Sequence, residues 1–210
     1  MTAGAWPHVW RDGTGGPPLL MLHGTGGDEH DLLPLADRLS PSSPVLSPRG
    51  RVLEGSMPRF FRRLSEGVFD EQDLGARADE LADFVLEVGA EHGIEPGTFV
   101  AVGFSNGANI ASALMMQRPE VLAGAVLLAA MVPFSTPPAD VDLTGRWAVV
   151  ANGRRDPMAT AEQTVTLVAQ LEAMHADVTE LSHDGGHTID GRQLPELARI
   201  VAAASGFGIS

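Results

Sequence analysis

The chain has 210 residues, with 14 Lys+Arg against 27 Asp+Glu and a formal net charge of −13. A chain this acidic is repelled by phosphate, which argues against nucleic acid or an anionic membrane surface as a partner. Every basic residue is arginine and cysteine is absent, which removes lysine Schiff-base chemistry, disulfides, thiolate metal sites and cysteine nucleophiles together.

Hydrophobic residues make up 44% and charged residues 20%, an ordinary globular profile. A chain of this length buries roughly 70% of the surface it exposes when unfolded, and one domain over residues 1–210 is expected. Neither an 18-residue apolar run nor the basic start and apolar stretch of a signal peptide occurs, so a soluble cytoplasmic protein is expected.

Residues 19–22 form an apolar run after the turn-rich segment 12–18 and lead into His23-Gly24-Thr25-Gly26-Gly27, the pattern of a buried strand entering a glycine loop. Leu32, Leu35, Ala36 and Leu39 predict a helix over 28–39, and 45–46 a short strand. Residues 49–70 are irregular, with Pro58, glycines and an arginine patch around Phe60-Phe61, and read as a loop with one helical turn. Leu74, Ala78, Leu81, Val85 and Val88 share one face of a helix over 73–92, stopped by Gly93 and Pro96-Gly97. A strand at 98–104, a small-residue helix at 106–117 and a strand at 124–130 follow. Strand 147–151, helix 161–175, strand 178–181 and helix 192–204 complete the series. Apolar strands alternating with helices predict an α/β architecture, a mostly parallel central sheet with helices on both faces. In such sheets chemistry sits in loops at the carboxyl ends of the strands.

Gly103-Phe104-Ser105-Asn106-Gly107 matches G-x-S-x-G, which alone is a weak signal. Its place between an apolar strand and a helix is what a nucleophile elbow requires. That turn is too tight for side chains on either flank, and it strains the serine so that the hydroxyl projects outward. The competing reading makes Ser105 only the N-cap of the next helix, a role that needs neither glycine.

A serine hydroxyl needs a base, and the base needs a third group to hold it. Of the seven histidines, His187 lies in the glycine loop Gly185-Gly186-His187 between the last strand and the last helix, with His183 its nearest rival. His8, His30, His92 and His175 lie in the N-terminal segment or on helix faces and read as solvated. Where the nucleophile rides such a turn the partners follow in the order serine, acid, histidine. Asp156, after strand 147–151 and the turn Asn152-Gly153, satisfies that order; Asp140 and Asp142 precede the strand, and Asp184 is too close to His187. The plainer reading of Asp156 is a solvated turn residue beside Arg154 and Arg155.

Backbone N–H groups aimed at the developing oxyanion are expected from Asn106, the residue after the nucleophile, and from Thr25 in the first glycine loop, with His23 as scaffold. A phosphate cradle there is excluded, because Gly24-Thr25-Gly26-Gly27 lacks the G-K-[ST] ending and Glu29 stands where G-x-G-x-x-G needs glycine.

From His23-Gly24 through Ser105 and Asp156 to His187, the chain resembles compact α/β-hydrolases of the phospholipase/carboxylesterase family, which are related to acyl-protein thioesterases. His23-Gly24-Thr25-Gly26-Gly27-Asp28-Glu29, Pro48-Arg49-Gly50 and Phe104-Ser105-Asn106-Gly107-Ala108-Asn109 are most similar to bacterial carboxylesterases, some of them hydroquinone-associated. The resemblance implies an α/β-hydrolase fold, a serine carboxylesterase acting on small esters through an acyl-enzyme, no cofactor or metal, and often a homodimer. Thr25 replaces the leucine usual after His-Gly in the thioesterase branch, and the cysteine of dienelactone hydrolases is missing. Thioesterase, lysophospholipase or perhydrolase chemistry would use the same triad, and a non-catalytic ligand-binding homologue would not need it complete.

Residues 131–146 leave no room for a long lid, which favours an open cleft and short acyl chains. Phe60, Phe61, Met131 and Phe134 are candidates to line that cleft, with plain packing the other reading. Arg59, Arg62 and Arg63 form the only basic cluster, read as a solvated face of ion pairs or as an attractor for a carboxylated substrate.

Overall fold

A computed structural model describes residues 6–204. Along the chain run β1 (His8–Arg11), β2 (Leu19–Leu22), α1 (Leu33–Leu39), β3 (Val45–Pro48), β4 (Val52–Glu54), β5 (Met57–Arg59), β6 (Arg63–Ser65) and β7 (Val68–Phe69). There follow α2 (Glu71–Glu91), β8 (Phe99–Phe104), α3 (Asn106–Gln117), β9 (Leu122–Leu128), β10 (Trp147–Ala151), α4 (Ala161–Ala173), β11 (Asp177–Glu180) and α5 (Leu194–Ala203).

Seven strands make the central sheet in the order β1-β3-β2-β8-β9-β10-β11. Only β1 runs antiparallel to its neighbour. The central strands β2, β8, β9 and β10 are apolar without interruption because both faces are covered. Leu20 and Leu22 of β2 enter a layer with Leu74 and Leu81 of α2, Leu114 of α3 and Leu167 of α4. Leu19 and Met21 enter the opposite layer with Leu35 and Leu39 of α1 and Leu197 and Val201 of α5. The alternation of side chains along a strand thus feeds two cores from one run of sequence. Helix α3 is made of small residues and lies buried from Asn106 to Met116, so it can sit close against the middle of the sheet.

Two helices start later than their apolar spacing predicts. Residues 28–31 are turns, where Asp28 accepts the His30 N–H at 2.8 Å, and α1 begins at Leu33 with Pro34 in its first turn. The last helix likewise begins at Leu194 with Pro195 in its first turn instead of at residue 192. Proline has no N–H to give and a φ already helical, so it marks the first turn of a helix.

Segment 49–70 contains no helical turn, contrary to expectation. It forms two antiparallel hairpins, β4–β5 and β6–β7, closed by the two-residue loops Gly55-Ser56 and Glu66-Gly67. Both glycines have positive φ, the requirement of such tight turns. The strands are two or three residues long, too short to show a period in the sequence. Strand β1 was likewise invisible, since His8-Val9-Trp10-Arg11 at the sheet edge is no apolar run. Among the described residues no helix is long and apolar enough to cross a membrane.

Candidate active site

Ser105 joins β8 to α3 with φ 53° and ψ −116°, a backbone region that costs a non-glycine residue about 1–3 kcal/mol. Packing enforces the strain. A Cβ on Gly103 would collide with the Gly107 backbone, and one on Gly107 would collide with the Leu22 carbonyl at the end of β2. The elbow is therefore pressed against the strand that carries the His23–Gly27 loop. Ser105 does occupy the N-cap position of α3, but its side chain makes no capping hydrogen bond. Its Oγ lies 2.7 Å from His187 Nε2.

On the other side of the imidazole, His187 Nδ1 is 2.8 Å from Asp156 Oδ2. The Asp156 side chain is fully buried, and its second oxygen accepts the N–H groups of Met158 at 2.8 Å and Ala159 at 3.0 Å. A carboxylate only accepts, so Nδ1 carries the imidazole proton and Nε2 is free to accept from the serine hydroxyl. The neighbouring arginines do not expose Asp156. Arg154 and Arg155 turn to Asp184, with contacts of 2.9 Å and 2.6 Å. The loops bearing the acid and the histidine are laced together by their backbones, Arg154 N–H to His183 O and Arg155 N–H to Gly185 O.

His183, the rival base, is buried in this lacing and its Nδ1 accepts the Gly185 N–H at 3.0 Å. It braces the His187 loop. Asp142, a rival acid, serves Thr144 and His175 instead. His8, His30, His92 and His175 are exposed.

Thr25, Ser105 and Asn106 line one cavity of about 30 Å³. Among the described residues the backbone N–H groups of Thr25 and Asn106 meet no backbone acceptor. The Thr25 loop is fixed from three directions. His23 Nδ1 donates to Gly24 O at 2.6 Å while its Nε2 accepts the Gly50 N–H at 3.0 Å. Gly26 N–H donates to Pro58 O, and Arg59 Nη1 donates to Thr25 Oγ1 at 2.8 Å. Burial pushes the His23 pKa below its ordinary value, in keeping with an imidazole that must stay neutral to accept at Nε2. Asn106 Oδ1 accepts the Phe60 N–H at 2.8 Å, tying the hairpin segment to the elbow, and its Nδ2 has no partner among the described residues.

Of the four side chains expected to line the cleft, only Met131 does so. Phe60 and Phe61 are fully buried in the core layer and Phe134 nearly so, each spending its ring on packing. Phe69 of β7, Met158 and Asn109 stand in the cavity wall instead. Asn109 lies one helical turn after Asn106 and accepts the Met131 N–H at 2.8 Å; two buried asparagines at that spacing on an apolar helix were the signal for it. The arginine cluster divides. Arg62 is exposed and paired with Asp70 and Asp73, as a solvated face requires, but Arg59 is buried beside Thr25.

A larger recess of about 530 Å³ opens around Arg146 and Trp147 at the amino end of β10 and shares no residue with the Ser105 cavity. Asp28, Glu29 and His30 bring their ligand atoms within 4.8 Å of one another, but both Glu29 oxygens are taken by Arg49, which holds the carboxyl below its usual range. In that arrangement Glu29 is committed to an ion pair with Arg49.

No protein-family model matches the chain. It is 44% identical over 182 residues, 87% of this chain and 90% of the other, to MhqD of Bacillus subtilis (strain 168), which is named as a hydrolase. The Bacillus cereus carboxylesterase superposes with a TM-score of 0.92 at 40% identity, covering 96% of this chain and 95% of the other. A carboxylesterase from Mesorhizobium loti superposes with a TM-score of 0.84 at 29% identity, covering 90% of each chain. With its mostly parallel sheet covered by helices on both faces, the chain belongs to the carboxylesterase family of α/β-hydrolases and is an esterase-type hydrolase.

Proposed function

We propose that the protein is a serine carboxylesterase that cleaves small, short-acyl esters through a covalent acyl-enzyme. The observation that carries this reading is the unbroken hydrogen-bonded line from the buried Asp156 carboxylate through His187 to a strained Ser105 hydroxyl.

In the proposed cycle, Ser105 Oγ attacks the ester carbonyl carbon as His187 Nε2 takes the hydroxyl proton. The carbonyl oxygen becomes an oxyanion held by the Thr25 and Asn106 N–H groups, each donor worth roughly 3–4 kcal/mol in the transition state. Asp156 keeps the imidazole oriented and offsets its positive charge. Collapse breaks the bond to the alcohol, which leaves with the proton from His187. Water then attacks the acyl-enzyme with His187 again as base, and the acid departs as Ser105 recovers its proton. The cavity supports small substrates. At about 30 Å³ it holds roughly two water-sized groups, the room of a short acyl chain.

Hydrolysis of p-nitrophenyl acetate by wild type and Ser105→Ala tests the mechanism, with fluorophosphonate labelling followed by mass spectrometry. The variant falls to near background, a loss on the order of 10⁶ by analogy with other triads, and the label maps to Ser105. Full activity in the variant, or a label elsewhere, removes Ser105 from the role. A p-nitrophenyl series from acetate to laurate peaks at about six carbons or fewer if this cavity receives the acyl group. A maximum at ten or more would refute the short-chain assignment.

A further inference from the structure

The hairpin segment turns two arginines toward the proposed nucleophile. Arg59 is 3% exposed and Arg63 is half-buried, and both line the cavity that contains Ser105, Thr25 and Asn106. No acidic side chain stands among the described wall residues of that cavity. The two guanidinium groups share a single counter-ion, Glu54, at 2.7 Å from Arg63 and 3.2 Å from Arg59. The Arg59 contact lacks hydrogen-bond geometry, since Glu54 Oε2 is buried without a hydrogen bond. Burial, and then the adjacent Arg63 charge, push the Arg59 guanidinium below its ordinary value.

The same two arginines also form the wall of an outer recess of about 330 Å³ between the hairpins, which Arg62 and Glu66 complete. Arg62 adds little free charge there, because Asp70 and Asp73 are both paired with it. Arg59 and Arg63 are thus common to the walls of the Ser105 cavity and the outer recess, two partly desolvated cations with Glu54 between them and Glu66 on the recess side. Guanidinium is the side chain best matched to a second carboxylate, through paired N–H donors in a planar fork. In a chain of net charge −13 an anion is repelled over most of the surface, so a local attractive spot at the site has a large effect on selectivity.

We propose that Arg59 and Arg63 form a carboxylate-recognition subsite, and that the ester this enzyme cleaves carries a carboxylate. The proposal rests on the serine esterase reading above. Arg63 meets the anion, and Arg59 both supports it and holds the Thr25 loop by the 2.8 Å hydrogen bond. Glu54 serves as the resting counter-ion of the pair.

Matched esters test it. Monoethyl succinate against diethyl succinate puts the carboxylate on the acyl side; 4-acetoxybenzoate against 4-acetoxybenzamide puts it on the alcohol side. Wild type prefers the anionic member of one pair by about tenfold or more in kcat/KM, the scale of one charge-assisted hydrogen bond, and the pair that shows it tells which side of the ester faces the arginines. The preference shrinks as salt is raised. Arg63→Gln lowers the anionic-to-neutral ratio, whereas Glu54→Gln releases both arginines and raises it. Taking the ratio within each variant cancels any general loss of folded enzyme. No anionic preference in either pair, or a shift in the same direction for both variants, overturns the subsite. If neutral esters are cleaved and Ser105 is labelled meanwhile, the esterase reading stands alone. If no ester is cleaved and Ser105 takes no label, both fall together.

Discussion

Two regions meet at the Ser105 cavity and are held by opposite means. The elbow is built from backbone in close contact, with Gly107 against the Leu22 carbonyl and α3 buried from Asn106 to Met116. The hairpins β4–β7 have strands of two or three residues and leave Leu53, Leu64 and Val68 at least half exposed. Ion pairs to Glu54, Asp70 and Asp73 hold their arginines. The proposed nucleophile, which must meet its partners within tenths of an ångström, is placed by the part of the molecule that cannot yield. The arginines of the proposed subsite are carried on short hairpins, whose exposed side chains Leu53, Leu64 and Val68 can change at little cost to the fold while Phe60 and Phe61 anchor the segment in the core.

Three substitutions sharpen that contrast. The largest effect belongs to the rigid side: Asp156→Asn reverses the tautomer that frees His187 Nε2 and should lower kcat on the order of 10⁴-fold with little change in KM. A loss under tenfold in a steady-state assay would move the orienting role to another residue. Next in size is a pair of glycines. Gly107→Ala drives a methyl into the β2 backbone and should cost about 3 kcal/mol or more, together with fluorophosphonate labelling of Ser105. Gly55→Ala, at a hairpin turn with φ 62° and open space around it, should cost about 1–2 kcal/mol, a Tm shift of roughly 2–8 °C, and leave labelling intact. Equal losses of labelling in the two variants would erase the distinction between the regions.

The smallest effect concerns pH. His23 has its pKa lowered in the fold, so below the unfolded value of about 6.5 the unfolded chain takes a proton that the native chain refuses. Its contribution to stability is present above that pH and declines as pH falls toward the folded pKa. His23→Asn should therefore flatten the acid side of the stability curve between pH 7 and 5 relative to wild type, measured by urea unfolding. An unchanged slope would mean that the Gly50 N–H contact does not depend on a neutral imidazole.

The sequence displayed the rigid region well and the adjustable one poorly, for a physical reason. Central strands buried on both faces leave unbroken apolar runs, and Trp147–Ala151 and Asn106–Gln117 have the bounds the pattern predicts. The elbow glycines are readable because only close backbone contact demands them. Hydrophobicity alone does not distinguish Phe60 and Phe61 as core rings from pocket rings; only the tertiary position of the hairpins sends them inward. Adjacency along the chain groups Arg59 with Arg62. In β5 it points to Thr25 instead, a contact across 34 positions that no local pattern encodes.

The complete enclosure of α3 has a further consequence for how the enzyme dies on heating. Its amides should be among the slowest to exchange with deuterium, while those of the hairpins exchange early. If the proposed roles hold, thermal inactivation tracks collapse of the whole globule, and a chain warmed to just short of that point should lose its preference for anionic esters while Ser105 still takes a fluorophosphonate label.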